Sequence, residues 1–292
     1  PLEYQGLRMG IIRSRLFVLV PAIGLAIVSL AETAVAAGRS EPWQMWFQPA
    51  ASPVMERIIE FHNFIFIIEV SIVVLVLVLM GYIIIRFNSK SNPVPSKTTH
   101  NTILEVAWTA VPLLLVIIIA VPSLKLLYYA DRIEEGEMTL KVIGNQWYWS
   151  YEYPDHGAFA FDSIIIEDEN LEPGQPRLLS VDNSVVLPAE TNIRLLFTSA
   201  DVIHNWAVPS LGLKLDAVPG RVNESWVRIN SEGDYYGMCS ELCGVNHGFM
   251  PVHIKAVSKA DFAAWVEQAK QEFAGENSNA GVRVAKADTR VR

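Results

Sequence analysis

The sequence predicts a two-helix transmembrane hairpin followed by an all-β extramembrane domain that ends in a helix. Three observations support this fold class. Hydrophobic residues make up 51% of the 292 residues and concentrate in three runs before residue 130, as expected for segments that cross a membrane. After residue 130, short β-branched and aromatic segments alternate with Gly/Pro turns, which is typical of strands. A capping pattern and apolar residues at helical spacing then predict a helix at residues 258–273.

The first apolar run has the features of a secretory signal. Two arginines precede an apolar stretch at residues 16–30, and the sequence AVA at residues 34–36 has the small residues that a signal peptidase accepts. We therefore predict a signal peptide region at residues 1–36 and an N-terminal periplasmic segment at residues 37–60. A retained first helix is the alternative. In both cases the chain after residue 130 lies outside the cytoplasm.

The next two apolar runs predict a transmembrane helical hairpin at residues 61–130. Residues 61–85 are almost wholly apolar, with Glu69 as the one acidic residue, and residues 106–124 carry no charge. Each run reaches the length of about 20 residues that spans a bilayer. The loop between the runs is basic until Glu105, so the positive-inside rule places this loop in the cytoplasm.

Glu105 lies at the cytoplasmic mouth of the second predicted helix, three positions before Trp108. An ionisable residue at this depth is either an interfacial anchor or a group that takes up protons. The sequence alone leaves both roles open.

Residues 131–274 predict a β-sandwich or β-barrel, because many short strands separated by Gly/Pro turns favour packed sheets. Ser258 and Asp261 form a capping-box pattern before the predicted helix. Residues 275–292 lack apolar periodicity, which predicts a disordered tail. The strand candidates are residues 138–143, 192–198, 224–229, 235–238 and 252–257.

The motif most informative about function is the pattern C-x3-C-x3-H-x2-M at residues 239–250. Cys239 and Cys243 are the two cysteines of the chain, which excludes a disulfide framework. Upstream, His204 offers a second imidazole. Two thiols, two imidazoles and a thioether form a soft ligand set that selects copper over hard cations.

This ligand set contains one cysteine more than a mononuclear blue-copper site needs. If both thiolates bridge, two copper ions can share them, with His204 and His247 each bound to one ion. Met250 would then be a weak ligand of one copper, and the Glu241 backbone carbonyl would complete the other. The alternative is a periplasmic disulfide between the two cysteines.

An aromatic block, QWYWSYEY, occupies residues 146–153. Strand alternation would put Trp147, Trp149, Tyr151 and Tyr153 on one face. Core packing explains some of these side chains. An exposed tryptophan beside carboxylates would instead form a docking surface for an electron donor.

The predicted outer domain is acidic. Residues 131–292 contain 24 Asp/Glu and 14 Lys/Arg, a formal charge of about -10, compared with -8 for the whole chain. This charge argues against nucleic acid as a partner. A basic protein can dock on an acidic face, because complementary fields accelerate encounter, although solubility alone also explains the charge.

With these residues assembled, the chain resembles subunit II of the cytochrome c oxidases, in particular the copper-containing subunit of bacterial aa3-type haem-copper oxidases. The resemblance extends from the first predicted span to about Phe273. It rests on EVAWT at residues 105–109, QWYWSYEY at residues 146–153, WAVPSLGLK at residues 206–214 and the copper loop at residues 239–250.

The resemblance implies a cupredoxin-like, Greek-key β-barrel that holds two copper ions. It also implies that the Glu241 side chain reaches a magnesium or manganese ion shared with subunit I. The implied copper ligands are His204, Cys239, the Glu241 carbonyl, Cys243, His247 and Met250.

The resemblance further implies that the chain accepts electrons from reduced cytochrome c and passes them to the haem of subunit I. Subunit I, with its haems and further copper, would reduce oxygen to water and pump protons, so this chain would be a non-catalytic subunit. Trp147 matches the residue that accepts electrons, and Glu105 matches the entrance of a proton-uptake route. The matching acidic docking positions are Glu152, Asp182 and Asp201. The implied location is a bacterial inner membrane, with a periplasmic C-terminal domain and further subunits as partners.

Other functions fit the sequence less well. Quinol oxidase subunits of the same architecture resemble this fold without the copper ligands, whereas every ligand position is filled here. A nitrous-oxide-reductase-type copper domain shares the loop but would not have two such spans. A copper chaperone or a structural membrane anchor would not need the aromatic block. The absence of a C-x-x-C-H motif excludes a fused c-type haem.

Overall fold

The computed structural model describes residues 38–132 and 135–273. The predicted signal peptide region at residues 1–36 and the predicted tail at residues 275–292 lie outside the described residues. The described part contains a helical hairpin, a β domain and a C-terminal helix. This confirms the predicted fold class.

The hairpin consists of α1 (Pro53–Arg86) and α2 (Thr102–Asp131), with 34 and 30 residues. Both helices are long and apolar enough to cross a membrane and contain the two predicted spans. Ser52 caps α1, because its Oγ accepts a hydrogen bond from the Met55 N–H at 3.0 Å. The apolar side chains along both helices are exposed in the isolated chain, as expected for surfaces in contact with lipid or partner helices.

Ten strands form two five-stranded sheets. The first sheet has the order β3-β2-β1-β5-β8, and the second has the order β4-β10-β9-β6-β7. The strands are β1 (Met138–Asn145), β2 (Tyr148–Tyr153), β3 (Phe159–Ser163), β4 (Val185–Pro188), β5 (Asn192–Ser199), β6 (His204–Val208), β7 (Leu213–Ala217), β8 (Asn223–Arg228), β9 (Gly233–Cys239) and β10 (Pro251–Val257).

The hydrophobic core lies between the two sheets. Buried residues alternate with partly exposed ones along β1 and β2, so Trp149, Tyr151 and Tyr153 of the aromatic block are fully buried. The Trp206 indole N–H donates to the Tyr151 hydroxyl at 3.1 Å and joins the two sheets inside the core. The arrangement agrees with the cupredoxin-like barrel that the resemblance implies.

Helix α3 (Lys259–Glu272) packs against the end of the barrel, with Phe262, Val266 and Ala269 buried. Its predicted cap is confirmed, because Ser258 Oγ accepts from the Asp261 N–H at 3.1 Å.

The membrane hairpin is attached to the barrel through the start of α1. The Ala51 N–H donates to the Ser210 carbonyl at 2.8 Å, and Ser52 Oγ donates to the Leu211 carbonyl at 2.6 Å. At the outer end of α2, Tyr129 contacts Trp226 of β8 edge to face. These contacts fix the barrel on its two helices.

Candidate metal centre

The copper loop predicted from the sequence connects two neighbouring antiparallel strands. Cys239 is the last residue of β9, and Met250 directly precedes β10. The Cys239 N–H donates to the Met250 carbonyl at 3.2 Å and closes the base of the loop. Because both ends belong to one strand pair, the loop has little freedom to separate its ligands.

His204 reaches this loop because β6 pairs with the end of β9. Trp206 stands opposite Cys239 in that ladder, so His204, the first residue of β6, lies beside the loop. The imidazole is fully buried. It packs closely over Gly144 of β1, where a Cβ atom would lie 2.7 Å from His204 Cδ2. A side chain at position 144 would therefore displace the imidazole.

The predicted ligand atoms converge on the two sulfurs. Cys239 Sγ lies 3.8 Å from Cys243 Sγ, 4.0 Å from His204 Nδ1 and 3.3 Å from the Glu241 carbonyl oxygen. Cys243 Sγ lies 3.6 Å from His247 Nδ1 and 3.5 Å from Met250 Sδ. The structure thus brings all six predicted ligands together, with each sulfur beside a different imidazole.

These distances fit metal ions rather than a disulfide. An S–S bond measures about 2.0 Å, so the 3.8 Å between the sulfurs leaves both cysteines free. Metal–sulfur bonds measure about 2.3 Å and metal–nitrogen bonds about 2.0 Å. One ion can therefore bind two sulfurs up to about 4.6 Å apart, or a sulfur and a nitrogen up to about 4.3 Å apart. The spacing therefore fits a bound metal ion, and the softness of the donor set favours copper.

The pKa values of the two thiols also favour binding of a cation between them. Burial disfavours the thiolate of Cys239, but its hydrogen bond with His204 helps to hold its pKa below the usual value. Burial and the negative charge on Cys239 raise the pKa of Cys243. Two adjacent thiolates in this buried site would repel each other. A metal ion bound to both would remove that repulsion, because coordinated thiols ionise readily.

Asp201 fixes the imidazole of His204. Its Oδ1 lies 2.8 Å from His204 Nε2, and an ionised carboxylate can only accept, so Nε2 must donate the proton. Burial favours the neutral acid, but hydrogen bonds from His204, Val202 and Gln146 hold the Asp201 pKa below its usual value. Asp201 thus holds the Nε2 proton, and the Nδ1 atom faces Cys239, where a metal ion would take the place of the Nδ1 proton.

Trp147 lies directly against the metal-binding loop. Its indole N–H donates to the Cys243 carbonyl at 3.2 Å, and the Gln146 side-chain amide donates to the same oxygen at 2.7 Å. The indole is partly buried beside the core. Of the functional residues here, the sequence did not single out Gln146 or Gly144, because neither an amide nor a glycine carries a ligand atom for copper.

The other predicted site residues lie in separate places. Glu152 forms an ion pair with Lys141 at 2.7 Å. Asp182 accepts hydrogen bonds from the backbone N–H groups of Ile164 and Asn183, both at 2.7 Å. Both carboxylates are thus held in place, Glu152 by a counter-ion and Asp182 by the backbone.

Glu105 is remote from the metal centre. It lies in the first turn of α2, and its Oε1 accepts from the Asn101 N–H at 3.2 Å. Tyr129, near the barrel, follows 24 residues later, which is about 36 Å along a helix. Glu105 therefore caps α2 at the end of the hairpin that lies farthest from the barrel.

Comparison with protein families gives matches over most of the chain. A sequence model described as "Cytochrome C oxidase subunit II, periplasmic domain" matches residues 138–257. A second, described as "Cytochrome C oxidase subunit II, transmembrane domain", matches residues 40–126. The two matches cover the hairpin and the barrel separately and follow one another without overlap.

Individual proteins are similar over comparable lengths. The probable cytochrome c oxidase subunit 2 of Rickettsia felis is 56% identical over 225 residues, which cover 77% of this chain and 71% of that protein. The corresponding protein of Rickettsia bellii is 54% identical, with coverage of 81% and 88%. Cytochrome c oxidase subunit 2 of Phytophthora megasperma is 48% identical, with coverage of 78% and 88%.

One similar solved structure is the periplasmic domain of cytochrome oxidase subunit II from Bradyrhizobium japonicum. It is 50% identical and covers 49% of this chain and 99% of that domain, with a TM-score of 0.46.

Proposed function

The chain belongs to the cytochrome c oxidase subunit II family, and we propose that it accepts electrons from reduced cytochrome c at a dinuclear copper centre. In this proposal the electrons pass to the haem of subunit I, where oxygen is reduced to water and protons are pumped. The observation that carries the proposal is the convergence of two free thiols, two imidazole Nδ1 atoms, a thioether and a carbonyl oxygen within one loop and the adjoining strand.

Two copper ions bound here supply a one-electron carrier in which both metals share the charge. The chain contributes a fixed set of ligands. The strand pair holds the loop, Asp201 holds His204, and the side chains of His204, both cysteines and Met250 are buried. Because these supports belong to the strands and the core, the ligands need little rearrangement between oxidation states. The proposed copper ligands are His204, Cys239, the Glu241 carbonyl, Cys243, His247 and Met250.

Trp147 is the proposed site of electron uptake from cytochrome c. Its indole touches the carbonyl of a ligand residue, which gives a short covalent and hydrogen-bonded route from the indole to the centre. The acidic residues Glu152, Asp182 and Asp201 are the proposed docking positions for a basic cytochrome c. Lys141 offsets the charge of Glu152 locally.

Two further roles belong to the assembled oxidase. The exposed Glu241 side chain is free to bind a magnesium or manganese ion shared with subunit I. Glu105 is the proposed entrance of a proton-uptake route into subunit I. The membrane is then the bacterial inner membrane, the barrel lies in the periplasm, and subunit I with further subunits surrounds the hairpin.

The test is the copper content and spectrum of the full-length chain in detergent or in its oxidase. We expect two copper ions per chain in this site and a mixed-valence electron paramagnetic resonance spectrum after oxidation. Cys243→Ser should abolish that spectrum, while Ser240→Ala, a matched change in the same loop, should leave it intact. One copper per site after reduction and reconstitution would contradict the proposal, as would a Cys239–Cys243 disulfide in the active oxidase.

A further inference from the structure

The segment before α1 forms a closed loop at residues 40–48. The Gln44 N–H donates to the Glu41 carbonyl at 3.1 Å, and the Glu41 N–H donates to Gln44 Oε1 at 2.9 Å. The Gln44 side chain also donates to the Phe47 carbonyl at 2.7 Å, and Gln48 donates to Ser40 Oγ at 3.1 Å. Several polar groups of the loop therefore have their hydrogen-bond partners within the loop itself.

Both ends of this loop are tied to the barrel. Gly38 pairs with the N-terminal part of β9, which β6 does not reach. Its N–H donates to the Asp234 carbonyl and its carbonyl accepts from the Tyr236 N–H. A Cβ atom on Gly38 would lie 2.5 Å from the Asp234 carbonyl oxygen, so this close pairing needs glycine. At the other end, Ala51 is bonded to Ser210. The loop is therefore a fixed part of the fold.

Apolar side chains of the loop are exposed, although the rings of Trp46 and Phe47 also contact α1. The exposed fraction is 97% for Trp43 and 92% for Met45, and Trp46 and Phe47 are also exposed. A soluble surface rarely collects a tryptophan, a methionine and two further aromatics in five residues, so such a patch marks an interaction surface.

The position of the loop along α1 indicates how deep this patch lies in the membrane. The Trp46 ring lies 4.9 Å from the His62 ring and 5.1 Å from the Phe66 ring. The apolar run of α1 ends at Ile85, next to Arg86. A hydrocarbon core of about 30 Å corresponds to about 20 helical residues, so counting back from Ile85 puts the opposite edge of the core near Phe66. Trp46 thus stands at the boundary between hydrocarbon and headgroups.

We propose that residues 43–47 insert into the lipid headgroup region of the outer leaflet and anchor the barrel against the membrane. The patch continues the membrane-facing surface of α1, and tryptophan is enriched at this depth because its ring is apolar and its N–H is polar. The proposal depends on the membrane hairpin and does not depend on copper.

A fluorescent label at position 45 tests the proposal in the assembled, copper-loaded oxidase in nanodiscs. Met45→Cys gives a single exposed thiol, because Cys239 and Cys243 are buried; the unsubstituted chain reports any background labelling. Glu169→Cys, on an exposed turn between β3 and β4, is the matched control. The quenchers are phospholipids with a spin label near the headgroup, phospholipids with one deep in the acyl chain, and aqueous iodide.

We expect the label at position 45 to lose intensity with the headgroup-proximal lipid quencher, less with the deep one, and to emit at shorter wavelength than the label at position 169. The control should respond to iodide alone. Quenching of position 45 by iodide alone would mean that the loop stays in water and would overturn the proposal. Protection from all three quenchers would mean that another subunit covers the patch, and stronger deep quenching would mean full insertion. Either result would also overturn it.

Discussion

One carboxylate determines which nitrogen of His204 is available to a metal. Asp201 accepts from Nε2 and holds the ring with Nδ1 directed at Cys239. The same carboxylate accepts from the backbone N–H groups of Val202 and Gln146. It therefore ties the histidine to the loop that carries Trp147. Partners of this kind control metal affinity because they fix the tautomer and orientation of the ligand.

We predict that Asp201→Ala weakens copper binding by about 10- to 100-fold, the range typical for loss of a hydrogen-bond partner of a ligand histidine. The affinity can be measured by competition with a chelator, and the electron paramagnetic resonance spectrum should change in parallel. Asp182→Ala is the matched control, because it also removes a carboxylate that accepts from two backbone N–H groups. Equal losses in both variants would indicate general destabilisation and argue against the tautomer role.

For Trp147 we make a different prediction, because its indole lies against the metal centre but supplies no ligand atom. We expect Trp147→Gln to slow reduction of the copper by reduced cytochrome c while the copper spectrum stays the same. Stopped-flow absorbance separates these two readouts. Trp265→Phe, on α3, is the control for loss of an indole elsewhere in the domain. An unchanged rate in the Trp147 variant would exclude its role in electron uptake.

The residue-level site was largely predictable because its chemistry is local in sequence. Three predicted ligand side chains and one predicted ligand carbonyl lie within the eleven positions after Cys239. Their spacing alone indicates copper. His204 is distant in sequence, so its position beside the loop depends on the pairing of β6 with β9. The supporting contacts of Gly144 and Gln146 were not predictable. The first depends on β1 meeting β6 across the two sheets, and the second depends on the β1–β2 turn reaching the metal-binding loop. The role of Asp201 also differs from docking alone, since its carboxylate contacts His204, Val202 and Gln146 within the site.

At the level of elements, the burial pattern of a strand largely decided whether the sequence predicted it. Candidate segments for β1, β5, β8, β9 and β10 were found, and the alternation in the aromatic block matches β2. Four strands were missed. β4 and β6 are buried at every position, so they lack the two-residue alternation that marks a half-buried strand. β3 and β7 have only five residues each.

Glu105 has a structural role in α2, and the role in proton uptake that we propose for it belongs to the same element. Its carboxylate accepts from the Asn101 N–H and so caps α2. We predict that Glu105→Ala and Glu105→Gln both slow turnover of the oxidase while reduction of the copper by cytochrome c stays normal. Glutamine keeps an oxygen for the cap but cannot exchange a proton. Oxygen consumption, compared with stopped-flow copper reduction, separates the two effects; full turnover in the glutamine variant would leave Glu105 as a cap alone.

At the level of the whole molecule, the two-part architecture determines how the site meets its partners. The start of α1 and the end of α2 are bonded or packed against the barrel, so the metal centre sits at a fixed position relative to the membrane. The hairpin exposes apolar surface for lipid and other subunits, while the barrel carries the excess of acidic residues. A donor that approaches from solution therefore meets a negatively charged domain.

This charge predicts how electron uptake depends on salt. The net charge of -8 for the chain attracts a basic cytochrome c, and such steering raises association rates by about 10- to 1,000-fold at low ionic strength. At 0.1 M salt the screening length is about 10 Å, so the second-order rate of copper reduction should fall steeply as salt rises. Reduction by an uncharged small reductant should not change, because that encounter has no charge to screen.

The double variant Glu152→Gln, Asp182→Asn should lower the rate at low salt and flatten the salt dependence, since it removes charges from the proposed docking face. A rate that stays constant or rises with salt would exclude docking by the acidic face, and a normal slope in the double variant would place the docking charges elsewhere on the barrel.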